Sequence, residues 1–106
     1  MANTFKSETD AGVTTLATIY TVGSSTTTVI LGLILGNTTT SQVTATVTLD
    51  KSSGDDVELI TNAPIPAGSS LELLSGNKVV METSDALKVS ASGATDVCLS
   101  IMEITP

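Results

Sequence analysis

Val43-Thr44-Ala45-Thr46-Val47-Thr48-Leu49 alternates apolar and hydroxyl-bearing side chains at every step. A period of two belongs to a β-strand, whose successive side chains point to opposite faces. Val43, Ala45, Val47 and Leu49 therefore face a core, and Thr44, Thr46 and Thr48 face solvent or a partner. β-Branched side chains are stiff at χ1 and suit a pleated, half-buried surface. The chain holds nineteen threonines together with many valines and isoleucines, and nowhere falls into a long 3.6-residue rhythm. No helix is expected.

Working outward, the same pattern recurs between turn residues. Lys51-Ser52-Ser53-Gly54-Asp55 reads as a loop, followed by a strand over 57–61. Ala63-Pro64-Ile65-Pro66-Ala67-Gly68 reads as a crossover, because its prolines lack ladder donors. Short strands follow at 71–74, 79–82, 87–91 and 97–105, separated by Ser75-Gly76-Asn77, Thr83-Ser84-Asp85 and Ser92-Gly93-Ala94. Towards the N-terminus, 13–22 and 26–36 read as strands. The expected fold is all-β: a single-domain antiparallel β-sandwich of about eight strands, jelly-roll-like, over residues 13–106. Residues 1–12 are polar and mixed in charge, and read as an N-terminal arm. A chain of 106 residues and 10.7 kDa buries roughly 65% of its surface on folding, which suffices for a modest core.

Residues 26–36 carry the strongest hint of a partner. Continuous alternation puts Val29, Leu31, Leu33 and Leu35 on one face, and Ile30, Gly32, Ile34 and Gly36 on the other. Both faces are apolar, unlike a sheet with one wet face. Either the chain's own loops cover the second face, or another subunit does. Gly32 and Gly36 would admit a closely approaching backbone. The final strand repeats the ambiguity, with Met102 and Ile104 on its second face. Phe5, the lone aromatic of the arm, is a candidate anchor on a neighbouring subunit. The expected subunit interface is therefore Phe5, Ile30, Gly32, Ile34, Gly36, Met102 and Ile104.

Composition excludes much else. Four lysines, no arginine and eleven acids give a net charge of −7. Such a chain cannot supply the clustered cations of a nucleic-acid surface, nor dock on anionic lipid. The longest apolar run, 29–35, is too short to span a bilayer. The first residues contain no apolar segment, so no secretory signal is read there and synthesis in a cytoplasm is expected. Without histidine, a serine or cysteine nucleophile lacks its usual base. Ser75-x-x-Lys78 formally matches a serine acyl-enzyme motif, but falls on a turn rather than a helix start. Cys98 sits among apolar residues and reads as a small hydrophobe. Asp50, Asp55 and Asp56 flank one loop, with Asp85 and Asp96 in others; solvated turn carboxylates are expected, and a weak cation site at the Asp50–Asp56 loop is the alternative. Asn37-Thr38-Thr39 is a formal glycosylation sequon, expected to be inert. No cofactor and no catalytic residue is expected.

Met1-Ala2-Asn3-Thr4-Phe5-Lys6, residues 20–22 followed by Thr26-Thr27-Thr28-Val29-Ile30, and Ala63-Pro64-Ile65-Pro66-Ala67-Gly68-Ser69-Ser70-Leu71 are similar to small virion structural proteins of tailed phages, notably marine phages and cyanophages. So is the run from Met81-Glu82-Thr83-Ser84-Asp85-Ala86-Leu87-Lys88-Val89 through Val97 to Ile104-Thr105. The resemblance covers most of the chain and rests on strand-and-turn patterns. It implies a non-enzymatic, multi-copy virion component with no defined residue site. The first reading is a capsid decoration or cement protein, homotrimeric, bound to the major capsid protein. A neck, tail or fibre-adaptor component is the alternative. A carbohydrate- or cation-binding module for host adsorption is a third, weakened by the scarcity of aromatics.

Overall fold

In the computed structural model, the described residues are 2–74 and 78–106. They form nine strands: β1 (Ala2–Val13), β2 (Ala17–Thr21), β3 (Thr27–Asn37), β4 (Val43–Asp50), β5 (Val57–Ile65), β6 (Ser70–Leu73), β7 (Val79–Met81), β8 (Ala86–Ala91) and β9 (Thr95–Thr105). Among the described residues there is no helix. One sheet runs β1-β9-β3-β6, with β7 also paired to β3; the other runs β2-β8-β4-β5. Every pairing is antiparallel. β6 lies against residues 33–36 of β3 and β7 against residues 28–30, so the two share one strand position. The order is that of a jelly roll, two sheets that close over one core. The expected turn Ser75-Gly76-Asn77, with the start of the Ser-x-x-Lys motif, lies outside the described residues.

The core follows the alternation. Val43, Ala45, Val47 and Leu49 of β4 point inward beside Leu87 and Val89 of β8. Ile30, Leu33 and Leu35 of β3 and Val97, Leu99 and Ile101 of β9 meet them from the other sheet. Thr44, Thr46 and Thr48 stay half-exposed. Each buried side-chain polar atom among the described residues has a hydrogen-bond partner. Asn37 uses its whole amide: Nδ2 donates to the carbonyls of Ser41 (2.8 Å) and Ile65 (2.9 Å), and Oδ1 accepts from Thr39 N (2.8 Å). A buried side chain so engaged is no glycosylation acceptor. At the β8–β9 bend, a Cβ built on Gly93 would stand 2.7 Å from Val43 Cγ1. Gly93→Ala is expected to lower stability by about 2 kcal/mol, read from the thermal midpoint, because neighbouring elements must shift.

Three expectations change. Residues 2–12, within the arm expected at 1–12, run in strand β1 along β9 of their own chain, in register from Ala2↔Thr105 to Asp10↔Val97. Their polar character reflects a strand exposed on both faces rather than a loose terminus. The chain then breaks at 14–16 before β2, so 13–22 is not one strand. Pro64 lies inside β5, paired with Thr44. This is allowed because β5 is a sheet edge, where a missing donor costs no ladder bond.

Candidate interaction surface

β3 also departs from an unbroken alternation. Its pairing with β9 shifts between Ile30↔Ile101 and Gly32↔Ser100. This bulge adds one residue, Leu31, and reverses the phase of the alternation. Thr28 and Ile30 point inward before it, and Leu33 and Leu35 after it. Ile30 is fully buried and belongs to the core rather than to an interface. Val29 takes its place on the outer face, while Gly32, Ile34 and Gly36 remain there.

The registers place the outer-face residues in rows. Phe5 lies opposite Met102, Met102 opposite Val29, and Val29 opposite Val80. Four strands thus carry one apolar row about 15 Å across. Phe5 is 70% exposed, Val80 54% and Ile34 44%; Met102 is half-buried between its neighbours. One row beyond, Asn3, Ile104 and Thr27 lie side by side. On the other flank come Ser7, Ser100 and Gly32, and then Thr9, Cys98, Ile34 and Glu72. The last row is Asp96, Gly36 and Ser70. The charges in these rows are Glu72 and Asp96, both at the end away from Phe5. An open groove of about 450 Å³ lies at that charged end, between Thr9 and Ile34, with Cys98 and Gly36 beneath.

Six of the seven expected interface residues, Phe5, Gly32, Ile34, Gly36, Met102 and Ile104, thus share one face. A Cβ on Gly32 would meet nothing within 4 Å, and on Gly36 only the Asp96 carbonyl at 3.9 Å. Among the described residues, no backbone enters the space at Gly32, and at Gly36 the Asp96 carbonyl only borders it. Val29 and Val80 were missed. The bulge hides the first, and the second is a single exposed apolar residue on a three-residue strand.

The inner side of β1 is ionic. Lys6 Nζ lies 3.3 Å from Glu8, 3.6 Å from Glu103 and 5.9 Å above the Tyr20 ring. Tyr20 donates to Glu103 (2.5 Å), so the Thr28 hydroxyl, 2.8 Å away, donates to Tyr20 in turn. Burial, together with the Glu103 carboxylate, pushes the Tyr20 phenol up to about 12, so it keeps its proton. The hydrogen bond that Lys6 donates to Glu8, with the added charge of Glu103, raises the Lys6 ammonium above its ordinary value.

Of the carboxylates flanking the 51–56 loop, Asp50 and Asp56 are engaged by the protein itself. Asp50 pairs with Lys88 at 2.8 Å, and Asp56 accepts from Lys51 N at 3.0 Å. Among the described residues, no group of three or more His, Cys, Asp or Glu side chains converges as a metal site. Cys98 is a half-buried free thiol on the outer face.

No family model matches the chain, and no curated protein matches it. A solved structure described as Bacillus endospore appendages, a novel family of disulfide-linked pili, is similar over 99% of this chain and 88% of that one, with 16% identity and a TM-score of 0.55. This is a shared fold. A chain from the structure of infectious bursal disease virus, Gt strain, aligns with 97% of this chain and 35% of its own length, at 12% identity and a TM-score of 0.33.

Proposed function

We propose that this protein is a non-enzymatic structural subunit of a virion, a capsid decoration or cement protein that docks the outer face of its β1-β9-β3 sheet on a larger protein shell. The observation that carries this reading is the uncharged apolar row Phe5, Met102, Val29 and Val80, laid open on a chain of net charge −7. A soluble monomer gains nothing by exposing such a row, whereas a docking subunit buries it. The surrounding acidity favours a neutral or basic partner for this face. Many such contacts over a lattice add through multivalency. The fold shared with a pilus protein supports a role in repeating assemblies, and favours a fibre or tail-adaptor station as the second reading.

The test is binding of the purified chain to particles that lack it. Saturation in proportion to the number of shell subunits is expected for a cement protein. Saturation at a single ring of copies would instead favour the neck or tail. Phe5→Ala, at an exposed position, is expected to leave the fold intact and weaken binding about thirty-fold, the loss of roughly 2 kcal/mol of anchor contact. Unchanged binding by this variant, or no binding by the parent chain, would overturn the reading.

A further inference from the structure

Exposed sheet edges carry unpaired main-chain donors and acceptors, and soluble proteins blunt them with short strands, prolines and bulges. Three of the four edges here are blunted in this way. β2 has five residues and a register shift between Thr18 and Tyr20. β5 holds Pro64, Asn62 at φ 48° and two shifts. β6 and β7 have four and three residues. β1 is different. It runs from Ala2 to Asp10 without a shift and without proline. Its irregularity comes only at the far end, where Gly12 takes φ 67° and Gly12 N donates to Asp96 (2.9 Å). The side chains of residues 2–7 are exposed on both faces of the strand.

We propose that β1 pairs antiparallel with β1 of a second copy across a two-fold axis at Ser7, fusing the two β1-β9-β3 sheets into one. The inference rests on the reading of the chain as an assembly subunit and supplies its self-contact. The register follows from charge. A two-fold axis perpendicular to the sheet keeps the outer face outermost, so odd-numbered residues oppose odd-numbered ones. Centring on Lys6 sets two lysines face to face, and centring on Glu8 sets two glutamates face to face, both unfavourable. Centring on Ser7 sets Lys6 opposite Glu8 of the second copy, and Glu8 opposite its Lys6. Thr4 then meets Asp10, and residues 4–10 of both strands form the ladder. Such an isologous contact satisfies the same surface on both copies. It also places Phe5 beside Thr9 of the second copy. The apolar row of one subunit thereby continues into the row of Thr9, Cys98 and Ile34 of the other.

Ser7→Cys in a Cys98→Ser background tests the contact by mild oxidation of the full chain. Directly opposed strand residues lie within disulfide reach. Ser7→Cys is expected to form a covalent dimer, while Asn3→Cys, which this register sets opposite Ala11, stays monomeric. Glu8→Lys is expected to weaken the dimer about ten-fold in sedimentation equilibrium. Equal cross-linking at both positions, or a monomer mass at all concentrations, would overturn the proposal. So would a disulfide between mixed Ser7→Cys and Ser100→Cys chains, which instead reports exchange of β1 onto β9 of another copy. A dimer that binds no particle refutes only the cement reading, and a monomer that binds particles refutes only the edge contact.

Discussion

Ile30→Ala is expected to lower the free energy of unfolding by about 3 kcal/mol, and Ile34→Ala by under about 1 kcal/mol, in urea or guanidinium titrations at neutral pH. The two isoleucines lie four residues apart on β3 and would share a face on an unbroken strand. The bulge at Leu31 separates them. Ile30 is fully enclosed between the sheets, opposite Ile101. Truncating it removes three heavy atoms from close packing and leaves a cavity that the two sheets cannot wholly close. Ile34 is 44% exposed on the outer face, so much of its side chain is already in water. A loss of about 3 kcal/mol is large against the 5–15 kcal/mol total of a typical domain, and should move the thermal midpoint by more than about 10 °C. In particle binding the order should reverse, with Ile34 the residue that matters. Equal stability costs at the two positions would mean that β3 runs without the bulge, and would return Ile30 to the outer face.

That bulge marks where the sequence stops being informative. β4 is legible because one of its faces is wet: Thr44, Thr46 and Thr48 label the solvent side, and a one-residue slip would bury them. Residues 29–35 carry no such label. Every position but Gly32 is apolar, so a change of phase leaves no compositional trace, and only the pairing with β9 reveals it. β1 escapes notice for the opposite reason. With both faces exposed it needs no alternation, and its ladder is made by main-chain groups that every residue type supplies. Pro64 misleads because a proline excluded from a central strand is tolerated at an edge, and edge position is a property of topology. The outer-face row is assembled from Phe5, Met102, Val29 and Val80, which lie far apart along the chain. Its individual members can be suspected from local grease, but their contiguity exists only once the registers are known. The jelly-roll class, by contrast, follows from short strands at regular spacing with turn residues between them.

By sequence Asp85 belongs with the solvated turn carboxylates, yet its side chain is 1% exposed, and its removal is expected to be as costly as that of Ile30. Its carboxylate accepts from Lys51 Nζ at 2.6 Å, Ser52 N at 3.0 Å and Glu82 N at 2.9 Å. It therefore ties the β4–β5 loop to the β7–β8 turn, while its own carbonyl accepts from Val22 N at 2.9 Å. Burial alone would push this carboxyl up. The Lys51 ammonium and the two backbone N–H donors outweigh burial and hold it at about 2, against an ordinary 3.8. Asp85→Ala strands these donors around an empty site and is expected to cost about 3 kcal/mol or more. The pH dependence has a definite sign. The folded chain holds this proton less tightly than the unfolded chain does, so the stabilisation is complete above about pH 4 and disappears as pH falls towards 2. A shift of this size corresponds to about 2 kcal/mol. Asp50 is also held below its ordinary value, by Lys88, so acid weakens any form of the protein. Asp85→Asn isolates the one group. It keeps the side-chain shape and one acceptor oxygen while removing the titration. Between neutral pH and pH 2 the parent chain should lose about 2 kcal/mol more than Asp85→Asn. Parallel acid profiles for the two would show that the Asp85 carboxylate gains nothing from Lys51 in the folded state.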